Sequence, residues 1–252
     1  YGNYEIIVIE NNSVDRETFA YYDTLKKQKN ITVVTCEGDF NYAKINNFGA
    51  RSATGKYLLL LNNDTQVISI NWLEAMLMYA QRPDVGAVGA KLYYGDRTIQ
   101  HAGVVIGLGA HRTAGHTHYK INYDNLGYMG RLCYAQNVSA VTGACLMVRK
   151  SIYDALGGLD ETFAVALNDV DFCLRIRENG YLNVFTPFTE LYHYESASRG
   201  SDVRDDKKAQ RYEEESARFR ERWKELLAKG DPYYNPNFSL DRSDYSLRTG
   251  GD

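Results

Sequence analysis

The sequence predicts an α/β fold, and three features of residues 1–94 carry that expectation. Short β-branched or leucine-rich runs recur, each halted by small polar residues. Stretches with the apolar period of a helix lie between them. Strand and helix alternate at the spacing of βαβ units, which places the strands in a parallel sheet. The run "YLLLL" at 57–61 is apolar at every position, so it needs cover on both faces.

Taken in order, "YEIIVIENNS" reads as a strand with its C-terminal loop, "ETFAYYDTLKKQ" as a helix and "ITVVTCEG" as a second strand. "NYAKINNFGARSATG" reads as a helix closed by Gly55, and "KYLLLLNND" as a third strand. "NWLEAMLMYAQRPD" is a helix ended by Pro83, followed by the strand "VGAVGAKLYY". From about residue 95 the pattern loosens into a Gly-, His- and Tyr-rich region with short extended pieces. "VSAVTGACLMVRKSIYDALGG" is a strand and a short helix, and "LNDVDFCLRIRENGY" is a helix with Asn168 as N-cap and Gly180 past its end. "LNVFTP" is a last strand stopped by Pro187. A charged helix follows, with Tyr212, Phe219, Trp223, Leu226 and Leu227 on one stripe that packs back on the domain.

The chain of 252 residues is long enough for one large domain or two small ones, and no repeat or low-complexity linker divides it. Its formal charge of −3, with both signs interspersed, excludes the basic footprint of a nucleic-acid binder. The cysteines Cys36, Cys133, Cys145 and Cys173 have no zinc or redox spacing and read as free buried thiols of a reducing compartment. No apolar run reaches the roughly 18 to 20 residues of a membrane span, and no signal-peptide pattern stands at the start. A cytoplasmic protein is expected, with a membrane-bound partner or substrate still open.

Candidate chemistry gathers at strand ends, where the loops of open parallel sheets bind ligands. "ENNS" at 10–13 and "NND" at 62–64 are two such clusters. A single carboxylate there can anchor Mg²⁺ or Mn²⁺ whose shell is completed by phosphate oxygens. The competing reading is a plain turn that caps the next helix. Asp169 sits at a helix start, where exposed N–H groups favour its ionised form and leave it able to take a proton. Asp171, four residues before Arg175, reads as half of a helical ion pair. In "ELYHYESASRG", His193 can ligate a metal or contact phosphate, and Arg199 suits diphosphate oxygens. His111, His116 and His118 lack cysteine or carboxylate partners at fixed spacing, so a zinc site is not expected there.

Together, "EIIVIENNSVD", "NNFGARSATGKYLLLLNNDTQV", "GACLMVRKSIYDALGGLDETF", "NDVDFCLRIRENGY" and "LYHYESASRG" resemble family 2 glycosyltransferases in order and spacing, over residues 4–200. The resemblance is to the rhamnosyltransferase-like, O-antigen biosynthesis subgroup. It implies a GT-A fold, with a mixed, mostly parallel central sheet flanked by helices. It also implies a single domain over 1–252: a nucleotide-sugar-binding half at 1–94, an acceptor and catalytic half at 95–200, and a C-terminal helix and tail at 201–252. The implied activity is inverting transfer of a sugar from a UDP-, GDP- or dTDP-linked donor to a hydroxyl of a glycan or lipid-linked glycan, assisted by Mn²⁺ or Mg²⁺. By position, Glu10 matches the residue contacting the base, with Asn12 and Ser13 in its loop, and Asn47 matches a helix position facing the nucleotide. Asn62, Asn63 and Asp64 stand at the metal-binding DxD motif, with Asp64 and His193 as metal ligands and Asp169 as general base. "TGA" at 142–144 matches the stretch shaping the acceptor side. Two departures matter. Asn62 replaces the first aspartate of that motif and is a poorer ligand. Relatives also begin with an additional strand that walls the nucleotide pocket, and without it the sheet exposes an unpaired edge. The resemblance further admits peripheral association with the inner face of the membrane and a homo-oligomer, and a degenerate glycan-binding module is the rival reading.

Overall fold

The computed structural model describes residues 1–194 and 206–249. In chain order the elements are β1 (Ile6–Glu10), α1 (Arg16–Leu25), β2 (Ile31–Thr35), α2 (Tyr42–Ser52), β3 (Tyr57–Leu61), β4 (Thr65–Val67), α3 (Trp72–Ala80) and β5 (Val85–Tyr93). They continue as β6 (Ile99–His101), β7 (Val104–Ile106), β8 (Ala114–His116), β9 (Gln136–Val138), β10 (Cys145–Arg149), α4 (Lys150–Ala155), α5 (Asn168–Glu178), β11 (Leu182–His193), α6 (Asp206–Arg222) and α7 (Lys224–Lys229).

The large sheet has seven strands in the order β3-β10-β5-β11-β4, with β6 on β5 and β9 on β11. It is mixed. β5 and β11 are parallel, and β10 runs antiparallel between β3 and β5, so β3, β5 and β11 share one direction. The leucine run explains itself by alternation across the sheet. Leu58 and Leu60 enter the apolar layer with α2, α4 and α5, whereas Tyr57 and Leu59 pack in the opposite layer with Met76 and Ala80 of α3.

β1 and β2 form a separate two-stranded parallel sheet. α2 covers both sheets. Gly49 meets β1 so closely that a Cβ there would lie 2.4 Å from the Ile9 side chain, while Ala43 and Ala50 join the layer of Leu58 and Leu60. Glu5 Oε1 accepts from the Thr54 and Gly55 backbone N–H groups at 2.7 and 3.0 Å. Hence β1 and β3 share a helix without sharing a ladder, and each keeps an open edge among the described residues.

Local rules fail at three places. β11 does not stop at Pro187 but continues to His193, because the register shifts between Thr186 and Glu190 and a bulge tolerates a residue without an N–H. Asn168 is the first helical residue of α5 rather than its N-cap, since its side chain donates back to the Val165 carbonyl at 2.9 Å and left-handed Leu167 (φ 63°) precedes it. The Gly/His/Tyr-rich region is only partly a loop: residues 99–108 are buried and β7 pairs with β8 in a hairpin, with Val105 and Leu108 packed against Tyr234 and Tyr245 of the C-terminal tail, whereas residues 122–126 are exposed. The C-terminal stripe packs inward as expected, with Phe219 and Trp223 buried and the helix broken at Trp223. Three cysteines are buried as free thiols and Cys133 is exposed. Among the described residues no helix is long and apolar enough to cross a membrane.

Candidate active site

After β3 the chain turns through Asn62, Asn63 and Asp64 into β4. Thr65 Oγ1 donates to the Asn62 carbonyl at 2.8 Å, the local bonding that makes such residues good turn formers. β4 pairs with the end of β11, with Thr65 opposite His193, and Tyr194 N–H donates to the Asp64 carbonyl. This ladder brings His193 to the turn. Its Nε2 lies 3.1 Å from Asp64 Oδ1 and 3.1 Å from the Asn62 side-chain nitrogen. Asn63 is exposed.

Asp64 Oδ1 is buried and makes no hydrogen bond, although His193 is so near. An orphaned carboxylate oxygen beside an imidazole nitrogen is a donor set that suits a divalent cation. No cluster of three or more His, Cys, Asp or Glu forms among the described residues. Two protein ligands, with phosphate oxygens completing the shell, match the habit of Mg²⁺ and Mn²⁺ rather than a closed zinc site.

The second carboxylate arrives through the stretch before β10. Asn62 N–H donates to the Ala144 carbonyl at 3.0 Å, and Gly143 N–H donates to Asp169 Oδ2 at 2.7 Å. Thr142, Gly143 and Ala144 therefore link the Asn62 turn to the first turn of α5. Asp169 Oδ1 accepts from Val170 N–H at 2.8 Å. Tyr42 holds the same stretch from its other side, donating to the Gly143 carbonyl at 2.8 Å. Burial, and then the charge of Asp169, push the Tyr42 phenol far up, so it stays a neutral donor. Behind α5, buried Glu215 of α6 accepts from the N–H groups of Ala164, Val165 and Ala166 at 2.9, 3.3 and 2.7 Å. Asp171 is fully buried and pairs with Arg175 at 2.8 Å, the ion pair its spacing suggested.

Glu10 ends β1 as a buried carboxylate held by Ser13 N–H, Ser13 Oγ and Tyr22 OH, each at 2.6 Å. Burial alone would raise its pKa, but those hydrogen bonds outweigh it and leave Glu10 below the usual carboxylate value. Asn12 adopts φ 60° and donates to the Gly38 carbonyl at 2.7 Å, fastening this loop to the one after β2. Asn47 faces the loop after α4. It accepts from Tyr153 OH and Leu159 N–H at 2.7 and 2.9 Å and donates to the Leu159 carbonyl at 2.8 Å. Arg199 lies outside the described residues.

A cavity of about 480 Å³ opens beside His193 and Thr142. Its walls include Tyr94, Tyr119, His116 and Gln100, with Asp241 of the tail across from them. Gln100, Tyr22 and Tyr42 are absent from the motif reading. Their partners lie 93, 12 and 101 residues away in sequence, which no local pattern reveals.

Comparison with known proteins converges on one assignment. The chain is 46% identical over 249 residues to the uncharacterized protein y4gI of Sinorhizobium fredii and 39% identical over 249 residues to the O-antigen biosynthesis protein RfbC of Myxococcus xanthus. Each alignment covers 98% of this chain but only 27% and 19% of those proteins, so the chain spans about a quarter or less of their length. Over 65 residues, 26% of this chain and 21% of the relative, it is 37% identical to an N-acetylglucosaminyl-diphospho-decaprenol L-rhamnosyltransferase of Mycobacterium tuberculosis. The fold resembles GalNAc-T7 solved with UDP, GalNAc and Mn²⁺ (TM-score 0.65, 14% identity, 86% of this chain and 41% of that one). It also resembles the mannosyltransferase PcManGT of Pyrobaculum calidifontis with GDP-Man and Mn²⁺ (TM-score 0.52, 16% identity, 78% of this chain and 49% of that one). These likenesses make the mixed sheet with flanking helices a GT-A fold. Residues 1–157 match the sequence profile of Glycosyl transferase family 2, and with more than half of the chain inside that match, the chain belongs to this family.

Proposed function

We propose that this chain transfers a sugar from a nucleotide-diphosphate donor to a hydroxyl of a growing glycan, with inversion at the anomeric carbon. The observation that carries the reading is the orphaned Asp64 Oδ1 facing His193, in a turn that the hydrogen bonds of Asn62 to Ala144 and of Gly143 to Asp169 join to the second carboxylate. Asp64 and His193 hold Mn²⁺ or Mg²⁺, in keeping with the Mn²⁺ named for both structural relatives. When bound, the cation offsets charge on the departing diphosphate.

Asp169 takes the proton from the acceptor hydroxyl. The freed oxygen bonds to the anomeric carbon from the face opposite the diphosphate, and the bond between that carbon and the diphosphate oxygen breaks with its electron pair leaving on the diphosphate. Glu10 and Ser13, ordered by Tyr22 and by Asn12, serve the nucleoside. Asn62 and Asn63 line the diphosphate, and Arg199 contacts its oxygens. Asn47 acts by fixing the loop after α4 rather than by touching the nucleotide. On this reading residues 1–94 serve the donor, 95–200 the acceptor and 201–252 the support of both. The relative named for a diphospho-decaprenol substrate makes a lipid-linked acceptor at the inner membrane face the substrate class to test first.

Calorimetric titration with UDP, GDP and dTDP, each with and without Mn²⁺, tests the donor site. One nucleotide should bind, and only with the metal. A folded chain that binds none of them under either condition would rule the reading out. That result would favour the rival glycan-binding module, for which the Asn62 amide seated against His193 Nε2 speaks.

A further inference from the structure

We propose that Gln100 is a positioning residue for the cation site: its side-chain oxygen fixes His193 in the tautomer whose Nε2 lone pair points toward Asp64. This rests on the reading of Asp64 and His193 as cation ligands.

Gln100 Oε1 lies 2.7 Å from His193 Nδ1, and both residues are buried, at 6% and 7% exposure. An amide oxygen accepts and never donates, so the hydrogen between them belongs to Nδ1. In a neutral imidazole that leaves the lone pair on Nε2. A second amide requires the same arrangement. The Asn62 side-chain nitrogen, a donor only, stands 3.1 Å from Nε2, which must therefore accept.

The fold explains why Gln100 is available. Successive residues of a strand face opposite sides. β6 accordingly sends Gln100 into the cavity beside His193 and its neighbour His101 into the core, against Phe185 and the ring of His116. Burial keeps water from competing for Nδ1. A histidine whose distal N–H is held by an acceptor is fixed in orientation and made a better ligand.

The test titrates Mn²⁺ into wild type, Gln100→Glu, Gln100→Leu and His193→Ala, reading unbound Mn²⁺ by electron paramagnetic resonance, alone and with UDP or GDP. Gln100→Glu retains an acceptor and is expected to stay within about threefold of wild type, whereas Gln100→Leu should bind roughly 10- to 100-fold more weakly. A long-range ¹H–¹⁵N spectrum of metal-free wild type should show the Nδ1–H pattern for His193, and Gln100→Leu should lose it. This reads the tautomer directly even if the leucine variant folds poorly. Unchanged Mn²⁺ affinity in folded Gln100→Leu, with binding lost in His193→Ala, overturns the role of Gln100 and leaves the cation reading intact. An Nε2–H tautomer in wild type overturns it as well. Wild type that takes up no Mn²⁺ under any of these conditions ends the cation reading, and this proposal with it.

Discussion

The backbone N–H of Gly143 donates to Oδ2 of Asp169 at 2.7 Å, so the stretch before β10 and the candidate base are one hydrogen-bonded unit. That bond aims the carboxylate without neutralising it. Asp169→Asn keeps the shape and removes the charge that receives a proton. Transfer should fall by about 10²- to 10⁴-fold, while metal-dependent nucleotide binding stays unchanged. Steady-state transfer and calorimetry on the same preparation read both quantities, and near-normal transfer would remove Asp169 from the mechanism.

Glu10 gives a pH signature. Its folded pKa lies below the unfolded value, so it stabilises the fold above about pH 4.5 and loses that contribution as pH falls through the lowered value. Glu10→Gln should therefore cost stability near pH 7 and little near pH 3 in urea unfolding. Tyr22→Phe removes one of the three donors and should cost about 1 kcal/mol at neutral pH. A Glu10→Gln penalty that persists in acid would mean that packing, not charge, is what the site lost.

His101 and His118 act higher on the pH scale. Burial, reinforced by the charges of Arg131 and Lys91, lowers His118 to about 4, and burial with the neighbouring His116 lowers His101 well below 6.5. Both are folded as neutral rings, and the unfolded chain binds protons first. Their contribution is complete above about pH 6.5 and is lost as pH drops toward the folded values. For His118 the loss between pH 8 and about pH 5 is roughly 2 kcal/mol, and His101 adds to it in the same direction. Urea midpoints across that window measure it, and His118→Gln should flatten the dependence by roughly 2 kcal/mol.

Asp64 is legible in the sequence because it follows a strand that is apolar throughout, which gives it an address at a strand end. Asp169 is legible for a related reason, as an acid in the first turn of a helix. His193 is harder to place, because Pro187 reads as a strand stop; the bulge that carries the strand past the proline depends on pairing with β5, which lies about a hundred residues upstream. Gln100 was invisible for the same physical cause. A glutamine in a three-residue strand has no local signature, and its role comes from the ring that tertiary packing sets against it. Asn47 shows the converse: the motif marks its position, but its hydrogen bonds to Tyr153 and Leu159 arise from tertiary packing that the motif does not show.

Asp171 supplies the last prediction. Fully buried, it accepts from Arg175 Nε at 2.8 Å, from Arg222 at 2.8 Å and from Trp223 Nε1 at 3.1 Å, which clamps the C-terminal helix onto the helix that carries Asp169. Removing the carboxylate strands buried donors and leaves two guanidiniums facing one another. Asp171→Asn should cost about 3 kcal/mol. Arg222→Ala should cost less, about 1 kcal/mol, because that side chain is 36% exposed and Asp171 keeps its other two donors. The double variant should cost less than the sum, since both changes break one contact. Urea unfolding of the three variants closes the cycle. An Asp171→Asn penalty below about 0.5 kcal/mol would show that the helix is held by its other contacts, the Phe219 and Trp223 packing and the Glu215 hydrogen bonds among them. Because Asp171 lies one turn-half from Asp169, transfer should also weaken in Asp171→Asn, but less than in Asp169→Asn, and without any change in Mn²⁺ uptake.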